Sequence, residues 1–469
     1  MKTITYGKPI VSHCEVVYNV HYTKTYVFSK DTIGVRILDK KISIGLLGLG
    51  TVGSGVVKLI HNHQEQLVHQ VGCPVEIKKV LVRDINKKRE VQIDESKFTQ
   101  DAYEVVHDPD IDVIVEVIGG VEKAREYILA ALEAKKHVVT ANKDLIALYG
   151  SELEEIASHH GCDLLYEASV AGGIPILRGL ADGLVSDKIQ KVMGIVNGTT
   201  NYILTKMDQD GISYEKALAD AQALGFAEAD PTADVDGIDA ARKMTILARL
   251  AFSMNIDLDD VSAEGIANIS RDDLKYGKTL GYTMKLIGYA DRDEDGVEVS
   301  VQPAFLPTSH PLSAVNDEFN AVYVYGEAVG ETMFYGPGAG SLPTATAVVS
   351  DIIAVLKNLR LGVNGRNALL PQFEKELKEK SEKYAKYYLR LHVKEKIGTL
   401  AEITQLFSEN GVSFEKILQL PLNNKEIAEI IIVTHHASQA DYNHVFKKLE
   451  ELQVVANVKS CYRVEGVSE

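Results

Sequence analysis

A chain of 469 residues, 45% apolar and 25% charged, is long enough for two or three domains and too evenly composed for a disordered or fibrous protein. Its net charge of −16 argues against nucleic acid or another polyanion as the main partner and leaves room for a local basic pocket that holds a small phosphate. The cysteines Cys14, Cys73, Cys162 and Cys461 form no CxxC pair or zinc-spaced cluster. With no apolar run near the roughly 18 residues of a membrane span and no cleavable leader, the chain reads as cytoplasmic, without a membrane partner.

In chain order, residues 1–40 form an N-terminal extension. There Val16, Tyr18, Val20, Tyr22, Tyr26 and Phe28 alternate with mostly polar neighbours, the period of a strand that could join a neighbouring sheet. Residues 41–170 begin with "ISIGLLGLGTVGSGVVKLI", a strand, a glycine turn and a helix. The strands "VEIKKVLV", "IDVIVEVIG", "HVVTAN" and "CDLLYEA" then alternate with helical stretches. That alternation predicts an α/β domain with a doubly wound, parallel Rossmann-type sheet. Residues 171–335 mix helices with strands such as "VEVSVQPAFL" and predict a second, α+β catalytic and dimerisation domain with an open sheet. Residues 336–362 open on three glycines and return as a helix to the first domain. A charged linker, solvated or helical, follows over 363–386, and 387–469 spell β-α-β-β-α-β, the ferredoxin-like order.

Gly48, Gly50 and Gly53, with Leu49, Thr51 and Val52 between them, make a GxGxxG turn between a strand and a helix. Such a turn brings backbone close to a dinucleotide pyrophosphate and aims free helix amides at it. At the end of the second strand Arg83, with Lys87 and Lys88 nearby, suits the 2′-phosphate of NADP, whereas the adjacent Asp84 suits an unmodified ribose. NADP is expected, with NAD as the alternative.

Five carboxylates lie between Glu228 and Asp239, shortly before Lys243. One reading is local: Asp236 as N-cap and Asp239 as its capping-box partner. In the helix that follows, Arg242, Thr245 and Arg249 share one row, the expected solvent face, while Asp239, Lys243, Ile246 and Leu250 share another. An exposed Asp239–Lys243 pair, worth about 0.2–0.5 kcal/mol, is too weak to account for so many acids. The second reading is chemical: a lysine beside a carbonyl can supply the proton that accompanies hydride delivery, with Glu228 and Asp239 holding a substrate ammonium or orienting the lysine. Lys143 follows the end of a parallel strand, the side on which such sheets bind ligands.

The segment "AQALGFAEADPTADVDGIDAARK", with "TANK", "EASVAGGIPI" and "NGTTNYIL" in order, resembles the homoserine dehydrogenase family over about residues 42–362. The resemblance implies reversible NAD(P)H-dependent reduction of L-aspartate 4-semialdehyde to L-homoserine, toward threonine, methionine and isoleucine. It makes Lys243 the proton donor, Lys143 a second catalytic or substrate-binding lysine, Glu228 and Asp239 substrate-holding acids supported by Asp234, and places Gly225 and Gly340 near the cofactor. Glu167 with the backbone of Val170, Gly172 and Ile174 is similar to the family's structural sodium site. A homodimer or homotetramer is expected. The tail from Tyr387 resembles an ACT domain, a regulatory module that binds an amino-acid effector, with Ile397 where many such domains carry proline. Threonine is the hypothesis for the effector. The alternatives are a dehydrogenase of another amino-acid aldehyde and a non-catalytic amino-acid sensor.

Overall fold

The computed structural model describes residues 10–12, 15–18, 26–28, 41–89, 91–366 and 370–466. Ile10–Ser12, Glu15–Tyr18 and Tyr26–Phe28 pair antiparallel into a small sheet of their own. The strand period of this arm is thus satisfied within the arm; Val20 and Tyr22 lie outside the described residues.

The next unit runs β1 (Ile42–Leu47), α1 (Thr51–Asn62), β2 (Val75–Leu81), β3 (Phe98–Thr99), β4 (Val113–Glu116), α2 (Glu122–Glu133), β5 (His137–Thr140), α3 (Lys143–His159) and β6 (Leu164–Leu165). Its sheet is parallel, in the order β3-β2-β1-β4-β5-β6. Every residue of β1, β4 and β5 is buried, as it must be in a sheet with helices on both faces. Strand order reverses between β1 and β4, so a crevice opens at their carboxyl ends, where doubly wound folds bind nucleotides.

The second unit comprises β7 (Ile189–Ile195), α4 (Gly198–Gln209), α5 (Ile238–Phe252), α6 (Arg271–Thr279), β8 (Tyr282–Asp293), β9 (Gly296–Pro307), β10 (Phe319–Gly326) and β11 (Gly330–Pro337). Helix α7 (Ser341–Leu361) then returns to the first unit. With 21 residues and a mean hydropathy of 1.3, it is long and apolar enough to cross a membrane, contrary to the reading of the sequence. Its apolar side is spent in the first unit: Ala345, Val348, Ile352 and Val355 join the core under β1. The approach to α1 is so close that a Cβ on Gly55 would stand 2.4 Å from the Ser341 carbonyl oxygen.

The tail runs β12 (Tyr384–Lys394), α8 (Thr399–Glu409), β13 (Phe414–Pro421), β14 (Ile427–Thr434), α9 (Gln439–Glu451) and β15 (Val455–Val464), and its strands lie in the order β15-β12-β14-β13. This sheet is not separate. β15 pairs in parallel with β9 through Ala304↔Arg463 and Phe305↔Val464, and the Glu465 amide donates to the Phe305 carbonyl at 2.9 Å. One sheet of 11 strands therefore spans the second and third units.

The charged segment before β12 is neither a helix nor solvated throughout. It runs extended along the second unit, bridging Phe373 to Met254 and Leu377 to Val297. Lys378 is buried on Asp291 and Asp293. The extended path is fixed by backbone pairing to the start of β9: the Val297 amide donates to the Glu376 carbonyl at 2.8 Å and the Lys378 amide to the Val297 carbonyl at 3.0 Å.

A second seam joins α6 to the tail. Arg390 on β12, 4% exposed, donates to Ser270 Oγ at 2.8 Å, Asp273 Oδ1 at 3.1 Å, Asp272 Oδ2 at 3.1 Å and Glu429 Oε1 at 2.5 Å. Ser270 and Asp273 form the capping box of α6, so one guanidinium holds the start of that helix. Removing one partner of a buried charge cluster leaves the rest uncompensated, at a cost of about 3–5 kcal/mol. Arg390→Ala is expected to lower stability on that scale in urea unfolding followed by circular dichroism; a change under about 1 kcal/mol would show the seam to be a surface contact.

Candidate active site

The glycine turn is built by exclusion of side chains. A Cβ on Gly53 would lie 2.2 Å from the Gly48 carbonyl oxygen, and one on Gly48, at φ 108°, would lie 2.8 Å from the Val117 carbonyl oxygen. Around Gly50 there is nothing within 4 Å. Gly50 begins α1 with no side-chain cap, so the first-turn amides remain available to an anion. Beside the turn lies a cavity of about 920 Å³ lined by Gly48, Leu49, Gly50, Arg83, Lys87 and Arg89.

The Arg89 guanidinium ties the strand-end loop together through the carbonyl oxygens of Asp84, Ile85 and Lys87 and stacks over Phe98 at 4.8 Å. Arg83 is exposed, and its carbonyl oxygen accepts Gln100 Nε2 at 2.7 Å. A mononucleotide phosphate and its ribose fit this donor set: open amides, glycine-lined walls and basic side chains at the second strand's end.

From the neighbouring strand ends comes the first lysine. The buried Glu116, last residue of β4, accepts Thr140 Oγ1 at 2.6 Å and the Ile118 amide at 2.8 Å, and burial pushes its carboxyl above the usual range. Thr140 Oγ1 accepts the Asn142 amide, Asn142 Nδ2 donates to the Gly120 carbonyl at 2.6 Å, and Asn142 Oδ1 caps α3 at Leu145 N. This relay fixes the first turn of α3, where Lys143 stands.

The second lysine comes from α5. The capping role expected for Asp236 is not observed: that residue ends the short helix Thr232–Val235, and Gly237, at φ 80°, precedes α5 without a side-chain cap. Asp239 is instead buried, 6% exposed. Its Oδ2 accepts Lys243 Nζ at 2.7 Å and Asn197 Nδ2 at 2.9 Å, and its Oδ1 lies 3.3 Å from Lys143 Nζ. Burial by itself would raise this carboxyl; the charges of Lys243 and Lys143 prevail and hold it down to about 2. Burial would likewise lower Lys143, but Asp239 and Asp144 keep it raised. Lys243 Nζ also donates to the Val196 carbonyl at 2.7 Å, which leaves one of its three hydrogens.

The helical row taken as solvent-facing is not. Thr245 is fully buried, Arg249 donates to the Ile146 and Ala147 carbonyls of α3 at 2.8 and 2.7 Å, and Arg242 pairs with Asp144 at 3.1 Å. Arg249 and Arg242 brace α5 against α3, while Thr245 Oγ1 donates within α5 to the Ala241 carbonyl at 2.9 Å.

Asp234 is brought to the same centre, with Oδ1 accepting Asn197 Nδ2 at 2.7 Å and Oδ2 accepting Thr199 Oγ1 at 3.3 Å. Burial raises its carboxyl despite these bonds. Glu228 is not drawn in: it is exposed, and only its carbonyl is engaged, by Gln222 Nε2. Gly225, at φ 80°, terminates the helix Tyr214–Leu224, and Gly340 opens α7 beside Thr51, whose carbonyl accepts Ser341 Oγ at 2.7 Å. Both Glu167 carboxylate oxygens accept backbone amides, from Leu177 and Arg178, at 2.8 Å. Among the described residues no group of three or more His, Cys, Asp or Glu could hold a metal ion. Sequence reasoning assigned no role to Asn197, Val196, Arg242 or Arg249; the signal available for Asn197 was its place between a strand and a helix, an N-cap position.

A glycine turn under an uncapped helix, at the switch point of a parallel sheet, together with ammonium groups at the strand ends, defines an NAD(P)-dependent oxidoreductase. Comparison with known proteins narrows the class. Residues 48–167 match the pattern "Homoserine dehydrogenase, NAD binding domain", 175–353 match "Homoserine dehydrogenase" and 387–453 match "ACT domain". A homoserine dehydrogenase of Bacillus subtilis is 64% identical over 91% of this chain and 99% of its own length, and one of Corynebacterium glutamicum is 43% identical over 90% and 96%. The solved homoserine dehydrogenase of Thiobacillus denitrificans superposes with a TM-score of 0.85 at 38% identity, covering 91% of this chain and 98% of that one. The chain belongs to the homoserine dehydrogenase family.

Overpacking of the kind a methyl on Gly53 would cause costs about 1–3 kcal/mol. Gly53→Ala is therefore expected to weaken NAD(P)H binding by roughly tenfold or more in a fluorescence titration; unchanged affinity would place the pyrophosphate elsewhere.

Proposed function

We propose that this protein reduces L-aspartate 4-semialdehyde reversibly to L-homoserine with NADPH, and that Lys243 is the proton donor. The observation that carries the reading is the pair of ammonium groups held on one buried carboxylate, Asp239. Bound in the crevice, the reduced nicotinamide supplies a hydride to the aldehyde carbon. Lys243 keeps a free hydrogen for the carbonyl oxygen, which becomes the hydroxyl of the product, and Asp239 and the Val196 carbonyl hold its nitrogen in place. Lys143 contacts the same carboxylate from the strand ends and offers the substrate a second cationic donor. Asp234 and, from the solvent side, Glu228 offer anions to the substrate ammonium. Arg83 and Lys87 support NADP over NAD, in keeping with a hyperthermophilic archaeal homoserine dehydrogenase solved with NADPH, 26% identical and superposing at a TM-score of 0.57.

The sodium ion that family membership implies would rest on Glu167 and the carbonyl oxygens of Val170, Gly172 and Ile174, where two amides share the Glu167 carboxylate and the Ile176 amide donates to the Ile174 carbonyl. Hard oxygens beside a carboxylate suit that cation, in a structural role. Assembly as a homodimer or homotetramer belongs to the same reading.

We further infer that the ACT domain senses an amino acid, with threonine as the effector. The support is mechanical. Arg390 grips the start of α6, and the residues just before α6 touch the acidic segment: the Ile266 amide donates to the Val235 carbonyl at 2.8 Å, next to Asp234. Because β15 completes the edge of β9, removing the tail would uncover that strand.

Lys243→Ala is expected to lower turnover by at least about a hundredfold, the scale of lost general acid catalysis, with NADPH affinity retained; near-normal turnover of homoserine with NADP would refute the assignment. Threonine added to the full-length enzyme is expected to lower the steady-state rate in a saturable manner; a rate indifferent to threonine would overturn the effector.

A further inference from the structure

Asn197 occupies the turn between β7 and α4 and is 5% exposed. Its Oδ1 accepts the Thr200 amide and Thr200 Oγ1, each at 2.9 Å. A backbone amide can only donate, so the oxygen must face Thr200 and the nitrogen must face the acids. Nδ2 then lies 2.7 Å from Asp234 Oδ1 and 2.9 Å from Asp239 Oδ2, one hydrogen for each carboxylate. The preceding residue, Val196, gives its carbonyl to Lys243. Two successive residues at the end of one strand thus hold both the lysine and the carboxylate on which it rests.

We propose that Asn197 is a positioning residue for the reaction: its amide divides its two hydrogens between Asp234 and Asp239, keeps the facing carboxylates in register, and so fixes Lys243. Without those hydrogens the two acids confront each other directly. The charged groups around them are Lys243 on the same helix as Asp239, Lys143 at the start of α3 and, further out, the Asp144–Arg242 pair. The single Thr199 hydroxyl hydrogen is nearest the Phe226 carbonyl, at 2.6 Å, and of the two acids Oγ1 reaches only Asp234, at 3.3 Å, so it does not bridge them. The inference rests on the role proposed for Lys243.

Asn197→Ser in the full chain keeps an oxygen able to cap α4 and replaces the two amide hydrogens with one hydroxyl hydrogen on a shorter side chain, which cannot serve both acids. The expected result is a kcat lower by about ten- to a hundredfold, the range for losing hydrogen bonds to charged groups, with NADPH affinity unchanged. The acidic limb of the kcat/KM profile should also move to higher pH, because an acid that loses a donor to its charged form is harder to ionise. Asn197→Asp, which keeps the shape and the cap but adds a third carboxylate, should shift the limb further in the same direction, and it decides the matter if Asn197→Ser fails to fold. An unaltered pH profile in the folded variants, at any kcat, overturns the proposal. If Lys243→Ala is inactive while both Asn197 variants behave as the natural chain, this inference alone fails; if Lys243→Ala is active, the reading beneath it fails.

Discussion

The arrangement depends on one buried carboxylate, Asp239, standing between two ammonium groups that arrive on different helices. An isolated charge so enclosed would cost several kcal/mol, and it persists because Lys243, Lys143 and Asn197 meet its two oxygens. The surrounding structure keeps α3 and α5 at the separation this contact requires. Arg249 reaches from α5 to carbonyls of α3, and Arg242 pairs with Asp144, each beside one of the lysines in sequence. The relay from Glu116 through Thr140 to Asn142 performs the same task for the start of α3.

A second constraint is the continuity of the sheet. Because β15 adds to β9, the third unit shares backbone hydrogen bonds with the second. Arg463, within that junction, pairs with Glu298 at 2.6 Å, and Arg390 on the neighbouring β12 adds its own buried contacts. The tail is therefore joined to the second unit through paired strands and a clamped helix start.

Much of the fold was legible in the sequence. The strand-helix alternation from Ile42 and the β-α-β-β-α-β order of the tail follow from apolar periodicity, which is a local property. The segment before β12 was misread because its many charges suggest a solvated helix, whereas Lys378 is buried by two aspartates distant in sequence. The row Arg242, Thr245 and Arg249 was misread for a related reason: polar residues at helical spacing look like a solvent face until another helix brings carbonyls and a carboxylate to meet them. Asp236 was misread because capping preference describes an isolated helix start, and here a glycine with positive φ turns the chain instead.

The sequence by itself determined the class of each unit, the glycine turn and its spacing, and which acids and lysines were available, because these depend on residues near one another along the chain. Only the tertiary structure decided that Asp239 receives both lysines, that Asn197 bridges two acids and that the tail completes the catalytic sheet. Those are meetings of groups far apart in sequence, and their energies come from burial and partner geometry, which no local pattern records.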